Sequence, residues 1–527
     1  MLKPFTVAAA LVLAVFTTDA TAQDTPVAQA VASRTDAGVT VRYSLPRPVD
    51  RVAFADGDTP RTLWSVVTPG LTLADGVVSG ERPFDAFEIR ILPDAEELDR
   101  TYIALSGAGD GRVLYGPGFK LEGLSTDLSF DLAPGEAAVP AEGPIGGYAY
   151  FGPSSAITVA SNADVVAGAN VPADLSAPAS AAFFDALTFY ERQLGRPLPF
   201  RPAVVISVDS PGPATFRGDV TDTGVISVRF YGDLWRQTAD DVAPFLWHEA
   251  FHLWNGHAIQ ALDSDEAPWL HEGGPDYAAL MGATSSGAIS EDQARERLMR
   301  RVNACRSLLR DRDLDPARLQ SGGAPYDCGV LVQWLADLDL RRTGGNVLEL
   351  WRDLLGGAAT TGGYGVADFR RQLPTDSSAL LLLDGPGASR WPELRARLAE
   401  RGVTLVNRPG DRDLRNAALL HILRQNCEGA YGFSRAEDGL KLDDAQCGVL
   451  SGAPVVTTLE DVDPNIDGRA AFDAVQARCA ALLPVRIRTA DGRVLNALCD
   501  QPLVEPEVWA IADAPSLAVR DETPRPL

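Results

Sequence analysis

The sequence predicts a multidomain α+β protein: an N-terminal β-sandwich-like domain, a central domain that mixes strands with helices, and a C-terminal mixed α/β domain. Three observations predict it. A chain of 527 residues is too long for one hydrophobic core. Its first third consists of short β-type runs cut by Gly, Pro and Asp turns. From Ser180 onward the apolar spacing changes from a period of two to a helical period. The expected boundaries are 1–22 for an export leader, 23–170 for the β-sandwich-like domain, 171–384 for the central domain and 385–527 for the last.

The leader is read from a charged start at Lys3, an apolar run from Val7 to Phe16 and a small-residue exit at Ala20-Thr21-Ala22, so cleavage is expected before Gln23. That run is too short to span a bilayer as a helix, and no later segment is long and apolar enough to do so. The mature chain is expected to be exported, in the periplasm or secreted. In the first domain, strands are expected at Val39–Tyr43, Phe87–Ile91 and Tyr102–Leu105. In the central domain a helix is expected over Ser180–Gly195, where Phe183, Phe184, Leu187, Tyr190 and Leu194 share a face. Strands at Ala203–Val208 and Val225–Tyr231 follow, then helices at Asp240–Gly256, Glu291–Arg310 and Gly329–Arg342. The last seven residues, 521–527, read as a mobile tail.

A net charge of −24 opposes binding to phosphate backbones and to anionic membrane surfaces, which excludes nucleic acid as a partner. Six cysteines, with no CxxC pair, favour disulfides in an exported chain. Local pairing of Cys305 with Cys328, Cys427 with Cys447 and Cys479 with Cys499 is expected, although six cysteines permit about 15 connectivities.

The chemistry concentrates in His248-Glu249-Ala250-Phe251-His252. Residues four apart on a helix project from one face, so the two imidazoles can share one zinc ion. Glu249 then lies beside the metal's open position, where a carboxylate can take a proton from an attacking water and hand it to a leaving amine. With five histidines in the chain, chance would give this run about 0.003 times. An ordinary helix that happens to carry two histidines is the bland alternative. A catalytic zinc needs a third ligand, and Glu272 in Trp269-Leu270-His271-Glu272-Gly273 is the nearest carboxylate in a suitable context, with His271 and Glu266 as substitutes. Pro275 suits a first helical position, which would leave Glu272 in the loop before it. Asp276 is placed to accept the outer N–H of a ligating histidine, or else is a solvated aspartate on a helix face. His257 and His421 read as ordinary surface or packing histidines, and Trp247 and Trp254 as core packing for the motif helix.

The stretch His248-Glu249-Ala250-Phe251-His252-Leu253-Trp254-Asn255-Gly256 resembles the HExxH-x-W-N run of the gluzincin metallopeptidases, above all the glycyl aminopeptidase family and more distantly the aminopeptidase N family. Trp269-Leu270-His271-Glu272-Gly273 is similar to their W-x-x-E-G ligand segment. The resemblance implies a zincin-like (thermolysin-like) catalytic domain, one zinc per chain on His248, His252 and Glu272, and a peptide or protein substrate. It also implies that Tyr326, in Pro325-Tyr326-Asp327-Cys328-Gly329 before an apolar helix, donates its hydroxyl to a developing oxyanion; a purely structural tyrosine is the alternative. Cys328 stands where the family carries a lysine. At Ala430-Tyr431-Gly432-Phe433 and Leu459 to Pro464 the resemblance extends to a degenerate PDZ-like domain. Aminopeptidases of this clan read a free amino end with a glutamate in a glycine-rich strand. This chain offers Asp219 in Phe216-Arg217-Gly218-Asp219-Val220, a carboxylate one methylene shorter, so weak or unusual aminopeptidase activity is expected, with internal cleavage as the alternative. A catalytically decayed zinc scaffold acting as a binding protein is the competing reading, and the intact Glu249 argues against it.

Overall fold

The first strands bury every second residue, and that alternation sets the architecture of the N-terminal region. Ala28, Ala30 and Ala32 on one strand and Val39, Val41 and Tyr43 on the next are all fully buried. In the computed structural model, which describes residues 26–93, 102–209, 216–312, 316–320, 322–436 and 438–519, these strands belong to a six-stranded sheet. Its order runs Trp64–Val66, Val77–Ile91, Val39–Ala53, Val27–Arg34, Ser125–Asp131, with Leu71–Ala74 beside Val77–Ile91. The pairs are antiparallel except Val27–Arg34 with Ser125–Asp131. A second sheet joins Leu105–Ala108, Gly111–Tyr115, Tyr148–Pro153 and Glu136–Val139. The expected leader and the terminal tail lie outside the described residues.

A third sheet is mixed. Asp164–Ala167, Ala203–Asp209 and Val225–Tyr231 run parallel, flanked by antiparallel edge strands Ile157–Val159 and Phe216–Val220. Every residue of Val225–Tyr231 is buried, the pattern of a strand covered on both faces. Helix α1 (Ala173–Leu194) lies in the chain between Asp164–Ala167 and Ala203–Asp209.

The helical region follows, with α2 (Ala239–His252), α3 (Pro268–Ser286), α4 (Glu291–Leu309), α5 (Ala324–Arg341) and α6 (Val347–Thr361). Helix α4 starts on a capping box, in which the Ser290 and Gln293 side chains each bond the other's backbone N–H. Helices α3 and α5 approach backbone to backbone. A Cβ on Gly273 would stand 2.3 Å from the Gly329 carbonyl carbon, and one on Gly329 would stand 2.2 Å from the Trp269 oxygen. The C-terminal region is β-rich: an antiparallel sheet of Phe433–Ala436, Gly439–Leu442, Val455–Leu459, Val485–Thr489 and Val494–Ala497, with helices Asp411–Asn426 and Gly468–Ala480 over one apolar core. The chain is thus multidomain α+β, with an N-terminal β-sheet region, a helical region and a C-terminal β-rich region. Its contacts divide it into two compact units, Met1–Ser180 with Phe200–Ala239, and Ala181–Pro199 with Asp240–Leu527. Among the described residues, no helix is long and apolar enough to cross a membrane.

Several elements depart from the sequence reading. The strand expected at Tyr102–Leu105 begins only at Leu105. Helix α1 starts seven residues early, because Leu175, Ala179 and Ala182 extend the same buried face. Helix α2 stops at His252 rather than Gly256: the N–H groups of His257, Ala258 and Ile259 bond the carbonyls of His252, Leu253 and Trp254 in a wider turn, and Gly256 takes φ +152°. There a side chain would press on the His271 ring. Helix α3 starts at Pro268, so Glu272 is helical and Pro275 lies inside the helix, not at its first position. Proline does suit a first turn, but Pro268 already fills that place. Likewise α5 begins at Ala324, which puts Tyr326 in its first turn rather than ahead of it.

Candidate metal centre

Helix α2 carries two acids in its first turn, Asp240 and Asp241, which favour the positive end of the helix dipole. Its apolar face is fixed by Trp247, fully buried against Phe189 and Tyr190, whose hydroxyl donates to the Trp247 carbonyl at 3.1 Å. Gly282 of α3 leaves room for that indole. With the helix so seated, His248, Glu249 and His252 are all buried, each under 8% exposed.

Three donor atoms converge. His248 Nε2 and His252 Nε2 are 3.1 Å apart, and Glu272 Oε2 lies 3.3 Å from the first and 3.4 Å from the second. Zinc bonds of about 2.0–2.1 Å in a tetrahedron put neighbouring ligand atoms about 3.3–3.4 Å apart. The triangle therefore has the edge lengths of one face of a zinc tetrahedron. Neither His271 nor Glu266 belongs to this group. His271 Nδ1 instead lies 3.3 Å from the Tyr364 hydroxyl. A second grouping, His421 with Cys479 and Cys499, offers no thiolate, since those cysteines are bridged to each other.

The outer nitrogens explain why the inner ones face one another. His248 Nδ1 lies 2.7 Å from Asp276 Oδ1, and His252 Nδ1 lies 3.0 Å from Asn255 Oδ1. Both partners accept, so each Nδ1 donates, and in the neutral rings each Nε2 is left with a lone pair. Two lone pairs and a carboxylate at about 3 Å repel unless a cation or protons lie among them, and this donor set of two imidazoles and one carboxylate fits zinc. Protonation responds in the same sense. Burial pulls the His248 imidazole down, but the charge and hydrogen bond of Asp276, with Glu272 and Glu249, hold it well above its ordinary value. His252 is raised too, its burial outweighed by Glu272 and Glu249. Burial pushes Glu272 up, yet the two histidines hold it far below the usual carboxylate range. His271 goes the other way, lowered to about 3 by burial and by the charge of His252.

Around the triangle, Arg301 of α4 pairs with Asp276 at 2.8 Å and with Asp327 of α5 at 3.0 Å. The disulfide Cys305–Cys328 joins the same two helices, next in sequence to Asp327. Tyr326 is half-buried, with its ring 6.0 Å from that of His248 and the Arg301 guanidinium 5.7 Å from its centroid. Burial first, then the charges of Glu272, Asp276 and Glu249, raises its phenol, so the hydroxyl keeps its proton. Asp219 sits on the edge strand Phe216–Val220, where its Oδ1 accepts the Val220 N–H at 2.8 Å; it belongs to the other compact unit from the donor triangle. The sequence assigned no role to Arg301 or Tyr364, and it marked Asn255 only as part of the stretch that resembles the HExxH-x-W-N run. Asn255 alone left a local signal, three residues past His252 on the turn that ends the motif.

Comparison with known proteins bears on the fold. No protein-family model matches the chain, and no curated protein does. Among solved structures, an aminopeptidase N family protein from Idiomarina loihiensis aligns over 93% of this chain and 98% of its own, with a TM-score of 0.61 at 13% identity. Legionella pneumophila aminopeptidase A in complex with aspartic acid covers 73% of this chain and 51% of its own (TM-score 0.39, 12% identity). Yeast LTA4 hydrolase in complex with bestatin covers 76% and 71% (TM-score 0.38, 10% identity). The first of these likenesses gives the chain an aminopeptidase N-like fold over 93% of its length.

Proposed function

We propose that the chain is a zinc-dependent peptidase, with His248, His252 and Glu272 as ligands of one zinc ion and Glu249 as the proton-transfer group. The observation that carries this reading is the donor triangle, with its edges of 3.1, 3.3 and 3.4 Å. When bound, zinc supplies Lewis-acid polarisation of a scissile carbonyl and of water. Glu249 takes the proton from the attacking water and delivers it to the departing amine; it is buried, and its charge reaches both histidines. Tyr326, kept protonated, donates to the oxyanion that forms on the substrate. Asp276 and Asn255 hold the two imidazoles in the tautomer that turns Nε2 inward.

On this reading the helical region is a zincin-like catalytic domain. The substrate is a peptide or protein, and three disulfides suit an exported chain. Whether cleavage requires a free amino end turns on Asp219. The same peptide with free and acetylated amino ends tests it: a large loss of rate on acetylation, removed in Asp219→Ala, would establish amino-terminal trimming.

The decisive test of the chemistry is Glu249→Gln. The variant should retain one zinc per chain while peptide hydrolysis falls by about 10²–10⁴-fold, because only the proton acceptor is gone. Full activity in that protein would refute the assignment.

A further inference from the structure

Prolines inside helices leave a carbonyl without its partner, since proline has no N–H for the oxygen four residues earlier and its ring pushes that oxygen aside. Pro275 lies in the eighth position of α3 and is buried. The carbonyl it releases is that of His271. That oxygen accepts Asn255 Nδ2 at 3.1 Å. Asn255 is itself fully buried, and its other end, Oδ1, accepts from His252 Nδ1 at 3.0 Å. An asparagine donates through nitrogen and accepts through oxygen, so anchoring Nδ2 on a carbonyl fixes which end faces His252. The histidine must then present Nε2 to the donor triangle.

We infer that Pro275 is a positioning residue for the candidate zinc ligand His252, acting through the freed His271 carbonyl and Asn255. The inference rests on the metal-site reading above and adds a residue that no ligand motif singles out. The molecule contains its own contrast. Pro244, inside α2, frees the Asp240 carbonyl in the same way, and that oxygen is taken by Arg297 Nη2 at 2.7 Å, with no link to a histidine. One helix therefore spends its released carbonyl on a peripheral arginine, the other on the donor triangle. Replacing Pro275 by a residue with an N–H would let the backbone compete for the His271 oxygen and release the Asn255 amide to turn over.

The test is zinc affinity of the full-length apoprotein, measured by competition with a chromophoric chelator, alongside the thermal midpoint of the same metal-free samples. Pro275→Ala should weaken zinc binding about 10-fold, the lower end of what is lost when a partner of a ligating histidine is removed. Its apo midpoint should hold or rise, since alanine is the better helix former. Pro244→Ala should leave zinc affinity within about twofold of wild type. In an Asn255→Ala background, Pro275→Ala should cause no further loss, because the path it acts through is already cut. A Pro275→Ala protein with wild-type affinity, an equal loss in Pro244→Ala, or full additivity with Asn255→Ala would each overturn the inference. If wild-type protein itself bound no zinc, the metal-site reading would fall first, and the two failures are thereby told apart.

Discussion

The helical region and the C-terminal region solve the problem of burial in opposite ways. In the helical region ionisable and polar side chains are packed inside: His248, Glu249, His252, Asn255, Gln333, Asp337 and Asp339 are all at most 7% exposed. Asp337 alone accepts from the Tyr277 hydroxyl, the Val347 N–H and Arg341. The C-terminal region buries Leu, Val, Ile, Ala and Phe around two disulfides, Cys427–Cys447 and Cys479–Cys499. Buried polar groups are costly unless fully partnered, so a region that retains them at this density is holding them for chemistry or for a fixed geometry. An apolar core with staples has only stability to secure. The contrast predicts that changes in one region alter metal binding and rate, and that changes in the other alter folding alone.

The largest effect should come from the ligands. His252→Ala should abolish stoichiometric zinc binding and with it hydrolysis, read by elemental analysis and by peptide cleavage. If zinc still bound at one per chain, the donor triangle would not be its site. Next comes a C-terminal staple. Cys479→Ser with Cys499→Ser opens a bridge between residues 20 apart, for which chain entropy predicts a loss of about 3 kcal/mol. Zinc affinity should not change; a parallel loss of zinc would break the division between the regions. Asp276→Asn should follow, with zinc affinity down about 10–100-fold and the fold intact by circular dichroism. Because Asp276 also answers Arg301, which reaches Asp327 beside Tyr326, that variant should lower the rate of its zinc-loaded form as well.

The smallest effect sharpens the contrast from a third place. Asp209, at the end of the strand Ala203–Asp209, has its carboxyl raised to about 6 by burial, with Arg229 only partly opposing. Its folded value thus lies above the unfolded one of 3.8. Folding favours the protonated form, so stability is lost as pH rises from about 4 to about 6 and the penalty is constant above that. Asp209→Asn should raise the unfolding midpoint by a small amount near pH 8 and leave it unchanged near pH 4. A lower midpoint near pH 8 would mean that the ionised carboxylate is held by partners, as Glu272 and Asp276 are.

The legible part of the site was the part written in one helix. His248 and His252 are four apart, a spacing a helix converts into a common face, and Trp247 and Trp254 are buried as the core anchors that periodicity implies. Glu272 was found through its short Trp-to-Gly segment. What the sequence hid was the helix around it: Pro275 looks like a start signal, and only the position of Pro268 shows that the start is already taken. Arg301 and Tyr364 carried no local pattern, because their partners Asp276 and His271 lie 25 and 93 residues away on other elements. The alternation in Val39–Tyr43 and Phe87–Ile91 marked those strands correctly, whereas Tyr102–Leu105 has the right composition but contributes only Leu105 to a strand. The three bridges join cysteines 20 or 23 residues apart, a spacing that favours local pairing without excluding the other connectivities.

The proposed function stands or falls on one zinc ion held by His248, His252 and Glu272 and needed for peptide hydrolysis. The most direct measurement is zinc content per chain, with hydrolysis of a mixed peptide library, on wild-type protein before chelation, after chelation and after zinc is returned. One zinc per chain is expected, with loss of both metal and hydrolysis on chelation and recovery of both with one equivalent of zinc. Hydrolysis that persists in the fully stripped protein, or a wild-type protein that takes up no zinc, would contradict the proposed function.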